Sequence, residues 1–281
     1  MNEPRTVTVF GFGLIGASVA LAARARWPSV RVIAIDRAAV LASPKAQASA
    51  DRLVDGEDVA QRRQAFADAD ISVLAAPLSV LEGILPEALD HCRLVTDCGS
   101  TKRSVLSVAA RHAQRARFVA GHPMAGKPSG GVDLADAQLF LSRAWILCPE
   151  GAAADALQAV QRFVEGLGAT TTQMSAAEHD RAMALTSHVP QLLASALLAL
   201  AARGAVSKHA RGPGFESATR VAGGPLNIWH DIFERNADQI ALSLDDLSSQ
   251  LQRIAQTLRE NPANTARADE LLAEARRARG E

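Results

Sequence analysis

One histidine set among glycines and a proline, Gly121-His122-Pro123-Met124-Ala125-Gly126, is the stretch of this sequence best suited to move a proton. An imidazole titrates near neutral pH, so it can take a proton from a small molecule and give it back. Flanking glycines free the backbone to approach a ligand closely, and proline stiffens the exit from the turn. Taken alone, the hexapeptide reads equally well as a glycine-rich surface loop.

A second pattern belongs to phosphate chemistry. Gly11-Phe12-Gly13-Leu14-Ile15-Gly16 is G-x-G-x-x-G, with a β-branched run before it, an alanine-rich helical stretch after it, and Asp36 closing the next apolar run. An acid about twenty residues past the last glycine is where a dinucleotide's ribose diol is held. Gly11 allows the tight turn, Gly13 the approach of the pyrophosphate, and Gly16 the close packing of helix on strand. The helix N-terminus beyond Leu14 and Ile15 then faces the phosphates. Asp36 favours NAD by repelling a 2′-phosphate, although Arg37 beside it can hold one, so NADP stays open.

Three further side chains have chemistry available to them. Ser100, in Asp97-Cys98-Gly99-Ser100-Thr101-Lys102, either caps a helix or faces the cofactor, and it can do both. His188, in Ser187-His188-Val189-Pro190-Gln191, is either a core histidine or a side chain aimed into a cleft by the adjacent proline. Arg220 is either a carboxylate clamp or half of a surface ion pair. His179 and Asp180 read as members of a solvated helix face. Cys92, Cys98 and Cys148 lack metal-ligand spacing, and no metal is expected.

The elements that must carry these residues alternate. Strand patterns run over Thr6–Phe10, Val30–Ile35, Ile71–Ala75, Leu94–Asp97 and Arg117–Ala120, with helical patterns between them. That is the order of a parallel sheet with crossover helices, whose ligands bind beyond the carboxyl ends of the strands. The glycine turn, Asp36, Ala76-Pro77, Ser100 and His122 are thereby drawn to one edge. Strand patterns stop beyond about Met174; Ala176 to Ala202 reads as one helix bent at Pro190. Ile240, Leu244, Leu247, Leu251, Ile254 and Leu258 form a narrow seam for another helix, within the chain or across a dimer, and Asn261-Pro262 closes it.

Composition bounds the rest. Thirty basic and thirty acidic residues among 281 cancel, so no overall field draws the chain to nucleic acid or an anionic membrane. There is no tyrosine, and aromatics are 4%. The apolar run Leu192 to Ala202 is too short to span a bilayer, and the glycine-interrupted N-terminus is a poor signal peptide. A reduced, cytoplasmic protein is expected.

In their order along the chain, these motifs, with Gly214-Phe215, Thr219-Arg220 and Asn227-Ile228-Trp229, resemble the prephenate/arogenate dehydrogenase family of tyrosine biosynthesis. The resemblance implies an α/β fold: a Rossmann-type doubly wound parallel sheet over residues 1–173, then an all-helical dimerisation domain over residues 174–281 that makes a homodimer. It implies NAD-dependent oxidative decarboxylation of prephenate to 4-hydroxyphenylpyruvate; arogenate, both substrates, or an amino analogue of prephenate are the alternatives. His122 would be the base at the ring hydroxyl, supported by Ser100. Arg220 would grip a carboxylate, and His188 and Gln191 would line the pocket. The cofactor would lie on Gly11, Phe12, Gly13, Leu14, Ile15, Gly16, Asp36, Arg37, Ala76, Pro77 and Ser100. Lys127-Pro128 stand where relatives often carry an acid.

Overall fold

The structure, a computed structural model, describes residues 3–127, 129–260 and 262–280. Pro128 and Asn261 thus lie outside the described residues. Among the described residues eight strands form one sheet: β1 Thr6–Phe10, β2 Arg31–Asp36, β3 Arg52–Asp55, β4 Ile71–Leu74, β5 Val95–Asp97, β6 Phe118–Pro123, β7 Ala144–Cys148 and β8 Thr170–Gln173. Their order is β3-β2-β1-β4-β5-β6-β7-β8, and every pair is parallel except β6 with β7. Strand order reverses between β1 and β4, which is where a doubly wound sheet opens its ligand crevice.

Seven helices cross over this sheet: α1 Leu14–Arg26, α2 Ala38–Leu41, α3 Pro44–Ser49, α4 Val59–Ala67, α5 Leu78–His91, α6 Arg103–Ala109 and α7 Ala154–Gly166. Strand side chains alternate, so the sheet sends Val7, Val9, Val32 and Ala34 to one face and Ile33 and Ile35 to the other. The first face is covered by Ala20 and Ala23 of α1 and Val160, Phe163 and Val164 of α7. The second is covered by Phe66 of α4, Leu81, Leu85 and Leu89 of α5, and Val105 of α6. Burial on both faces explains the near-continuous apolar runs of the sequence.

Two details depart from the sequence reading. The short β3 carries arginine and aspartate at its ends and gave no apolar signal. β6 runs on to Pro123, so His122 belongs to a strand and not to the loop after it, paired with Ile146 of the antiparallel β7.

The glycine turn obeys its steric logic. Gly11 has φ +89°, and a Cβ there would sit 2.6 Å from the backbone of Ala75 and Ala76. Gly11→Ala is therefore expected to destabilise the fold by at least about 1–2 kcal/mol, the left-handed strain alone, which thermal unfolding would read. A melting temperature equal to the parent's would contradict this geometry.

The second half is helical: α8 Ala176–Met183, a π-turn Ala184–His188, α9 Val189–Arg203, α10 Pro213–Thr219, α11 Leu226–Arg235, α12 Ala237–Leu258 and α13 Ala266–Arg279. The bend expected at Pro190 is resolved as the π-turn just before it, with Val189 N–H donating to the Ala184 carbonyl. A wider turn accommodates a proline that offers no N–H, and such turns recur at functional sites. Joined through that turn, residues 176–203 make a helix long and apolar enough by length and composition to cross a membrane, though its first turns carry Glu178, Asp180 and Arg181. α11 ties this half to the sheet: Asp231 accepts from Ser79 N (3.0 Å) and Oγ (2.9 Å), and Arg235 pairs with Glu82 at 2.9 Å. The seam of α12 is divided. Ile240, Leu244 and Leu247 pack within the chain against Ala184 and Val189, whereas Leu251 and Leu258 are exposed.

Candidate active site

β5 ends in a carboxylate that organises its neighbours. Asp97 is fully buried; Oδ2 accepts from Gly99 N (2.7 Å) and from Lys102 Nζ, and Oδ1 accepts from Gly121 N (3.0 Å). Lys102, equally buried, donates to the Gly121 carbonyl at 2.6 Å. The buried ion pair thus holds both backbone groups of the residue before His122. A Cβ on Gly121 would lie 2.8 Å from the Asp97 carbonyl and from Trp145 Nε1, so this glycine serves close packing of β6 on β5 and not the approach of a ligand.

His122 leans on residues that the sequence reading had assigned to solvent. His179 and Asp180 are completely buried. His122 Nδ1 lies 2.9 Å from His179 Nε2, and His179 Nδ1 lies 2.8 Å from Asp180 Oδ1. Burial lowers the His179 pKa, against the pull of Asp180. Burial raises that of Asp180, but hydrogen bonds from His179 and from the N–H groups of Arg103 and Lys102 outweigh it and hold the carboxyl below its usual value. A carboxylate only accepts, so His179 donates from Nδ1, its Nε2 is bare, and His122 donates to it from its own Nδ1. His122 Nε2 is left with a free lone pair. Burial, then the cost of adding a positive charge beside His179, Lys102 and His188, pushes the His122 pKa well below 6.5. A neutral base with its lone pair fixed at Nε2 can draw a proton from a small alcohol.

Asp180 also caps α6, its carboxylate accepting Lys102 N at 2.7 Å and Arg103 N at 3.0 Å. The capping reading of Ser100 therefore fails: the cap comes from another helix, and Ser100, half-buried at the bend after β5, makes no hydrogen bond among the described residues. His188 is buried at the end of the π-turn, 6.2 Å from Trp229 in an edge-on arrangement, and Nδ1 is 3.2 Å from Asn236 Nδ2. Gln191 follows one turn later, also buried. Arg220 is exposed and forms no ion pair among the described residues, so the surface-pair alternative fails and nothing joins it to His122 within one chain. Lys127 donates to the Leu134 carbonyl at 2.8 Å and closes its own loop.

The cofactor candidates gather at the β1/β4 crevice. Among the described residues no side chain caps α1 at Gly13, and a Cβ on Gly13 would meet nothing within 4 Å. Gly16 could carry no Cβ, which would lie 2.0 Å from the Gly11 carbonyl oxygen. Asp36 Oδ2 accepts from Phe12 N at 2.5 Å and Oδ1 from Arg37 N at 2.7 Å, while the Arg37 guanidinium is exposed. Phe12 thus offers a ligand little, with its ring in the core and its N–H engaged. Leu14 is buried, Ile15 and Ala76 are half-buried, and Pro77 is exposed at the start of α5. A cavity of about 530 Å³ edged by Arg93, Arg117 and Arg162 opens at the opposite ends of the strands, away from this chemistry. Among the described residues no cluster of His, Cys, Asp or Glu could hold a metal.

The residues the sequence reading missed had one usable signal. Ala176, Asp180, Met183, Ala184, His188 and Gln191 recur at helical spacing on a buried stripe, which assigns Asp180 to the inside. Nothing in the spacing of Asp97, Lys102 or Asn236 marks them.

Family models described as "Prephenate dehydrogenase, nucleotide-binding domain" and "Prephenate dehydrogenase, dimerization domain" match residues 19–173 and 175–274. Prephenate dehydrogenase of Bacillus subtilis is 32% identical over 90% of this chain and 70% of its own length. Cyclohexadienyl dehydrogenase of Zymomonas mobilis is 30% identical over 90% of this chain and 88% of its own length. In fold, the chain is similar to the crystal structure of prephenate dehydrogenase from A. aeolicus in complex with hydroxyphenyl propionate and NAD+, with a TM-score of 0.84, 24% identity, and coverage of 98% of this chain and 97% of that one.

Proposed function

The chain belongs to the prephenate dehydrogenase family, and from that premise we propose that it oxidatively decarboxylates prephenate to 4-hydroxyphenylpyruvate in tyrosine biosynthesis, with NAD as acceptor. The observation that carries the reading is the Asp180–His179–His122 relay, which presents a bare Nε2 at the end of β6.

The crevice suits a dinucleotide. The open space over Gly13 and the uncapped N-terminus of α1 would take the pyrophosphate. Each Asp36 oxygen spends one lone pair on a backbone N–H and keeps another for the ribose diol. When bound, NAD supplies the acceptor for the hydride that leaves C4 of the cyclohexadienol. His122 Nε2 takes the proton of the C4 hydroxyl, so the oxygen's electrons can form the carbonyl. The imidazolium that results keeps its Nδ1 bond to His179, whose other nitrogen rests on the Asp180 carboxylate. Loss of the ring carboxylate as CO2 sends its electron pair into the ring, which becomes aromatic, and the phenolate oxygen recovers the proton from His122. Ser100 is assigned to the same hydroxyl and Arg220 to a substrate carboxylate.

Gln191 supports prephenate over arogenate, because a neutral amide can donate to a keto group but cannot neutralise an ammonium. Turnover of both substrates with NAD and NADP tests this; faster arogenate turnover would overturn the preference. Asp36→Asn is expected to raise the KM for NAD by about tenfold or more, as for one charge-assisted hydrogen bond, and to narrow the gap to NADP. An unchanged cofactor ratio would remove Asp36 from recognition.

We place the enzyme in the cytoplasm as a homodimer through its C-terminal helices. The apolar residues Leu193, Leu197 and Leu200 of α9 and Leu251 and Leu258 of α12, all exposed on one chain, support that surface.

A further inference from the structure

We propose that Asn236 is a positioning residue that holds the His188 ring with its proton on Nε2, making His188 a hydrogen-bond donor to a substrate oxygen. Asn236 is completely buried at the junction of α11 and α12 and is held by three partners. Its Oδ1 faces Arg103 Nη2 at 2.9 Å, its Nδ2 faces the Asp180 carbonyl at 2.7 Å, and the same Nδ2 lies 3.2 Å from His188 Nδ1. A guanidinium only donates and a carbonyl only accepts, so the amide has one orientation that satisfies both. In that orientation an N–H points at His188 Nδ1. The ring must accept there, and in an uncharged imidazole the proton then sits on Nε2.

The frame that enforces this is rigid. Arg103 donates to Asp180 Oδ2 at 3.1 Å through Nε and to Asp238 Oδ2 at 2.8 Å through Nη1, joining α6, α8 and α12 around Asn236. Burial lowers the His188 pKa to about 4, which keeps the ring uncharged at working pH. Asp180 therefore sets both histidines. Its carboxylate makes His122 a base at Nε2, and its carbonyl, through Asn236, makes His188 a donor at Nε2. A base and a donor from rings of one chemical kind are what a substrate bearing both an alcohol and carboxylate or keto oxygens requires. The donor role rests on the proposed function; the proton's position does not.

The proton's position is read by two-bond proton–nitrogen correlation spectra of the ligand-free protein carrying ¹⁵N-histidine, with His188 assigned by loss of its signals in His188→Asn. A protonated Nε2 and bare Nδ1 are expected; a protonated Nδ1 overturns the proposal without any need for an Asn236 variant. Asn236→Asp replaces the donor with an acceptor of the same shape and should move the proton to Nδ1. Its KM for prephenate should rise about tenfold, the worth of one hydrogen bond, with NADH affinity unchanged. A reversed proton with unchanged KM overturns the donor role. A parent protein that turns over no prephenate overturns the proposed function instead, and the spectra still decide where the proton sits.

Discussion

His122→Asn is expected to lower kcat for prephenate by about 10²–10⁴-fold, the usual worth of a positioned base, with NADH affinity unchanged. Asparagine is the informative replacement because its amide can still donate to His179 Nε2 and keep the relay in place. Asp180 is a poorer choice, since its carboxylate also caps α6. The parent's pH profile carries the same claim. The base must be unprotonated, and a pKa held well below 6.5 by burial and by neighbouring positive charge moves its protonation to lower pH. The acid limb of kcat/KM assigned to His122 should therefore fall below 6.5, and the His122→Asn protein should lack it. Turnover close to the parent's would end the case for a histidine base.

Lys102→Met should strongly destabilise the sheet domain. It strands Asp97 as a fully buried carboxylate without its cation, a loss of about 3–5 kcal/mol that chemical denaturation would measure. Adding Asp97→Asn should restore part of that loss, because an amide needs no counter-charge. The single variant should also lose activity, since Lys102 Nζ and Asp97 Oδ1 together hold Gly121 and thus the strand that presents His122. A change below about 1 kcal/mol, the range of exposed pairs, would mean that water reaches the Asp97–Lys102 pair.

Much of the frame was legible. The glycine spacing states its own geometry: Gly11 turns, Gly13 stays open and Gly16 packs, each with a steric reason that needs no partner from elsewhere. The alternation of apolar runs and helical stretches ordered the sheet, because parallel strands buried on both faces must be apolar throughout. β3 carries no such signal because an edge strand with charged ends has no such need, and the residues around His122 read as a loop because glycine and proline are turn signals even at a strand's end.

The sequence by itself determined that a histidine and a dinucleotide turn would share one edge of a parallel sheet, since local periodicity and turn chemistry are written in neighbouring residues. It could not say which helix would come to lie against that histidine. His179 stands 57 residues from His122 and Asn236 a further 57 along, and an aspartate or histidine on a helix looks the same whether solvent or another ring awaits it. Only the packing of α8, α6 and α12 decided that Asp180 is buried, and a buried carboxylate must find donors. Those donors turned out to be the helix cap and the ring that align the base.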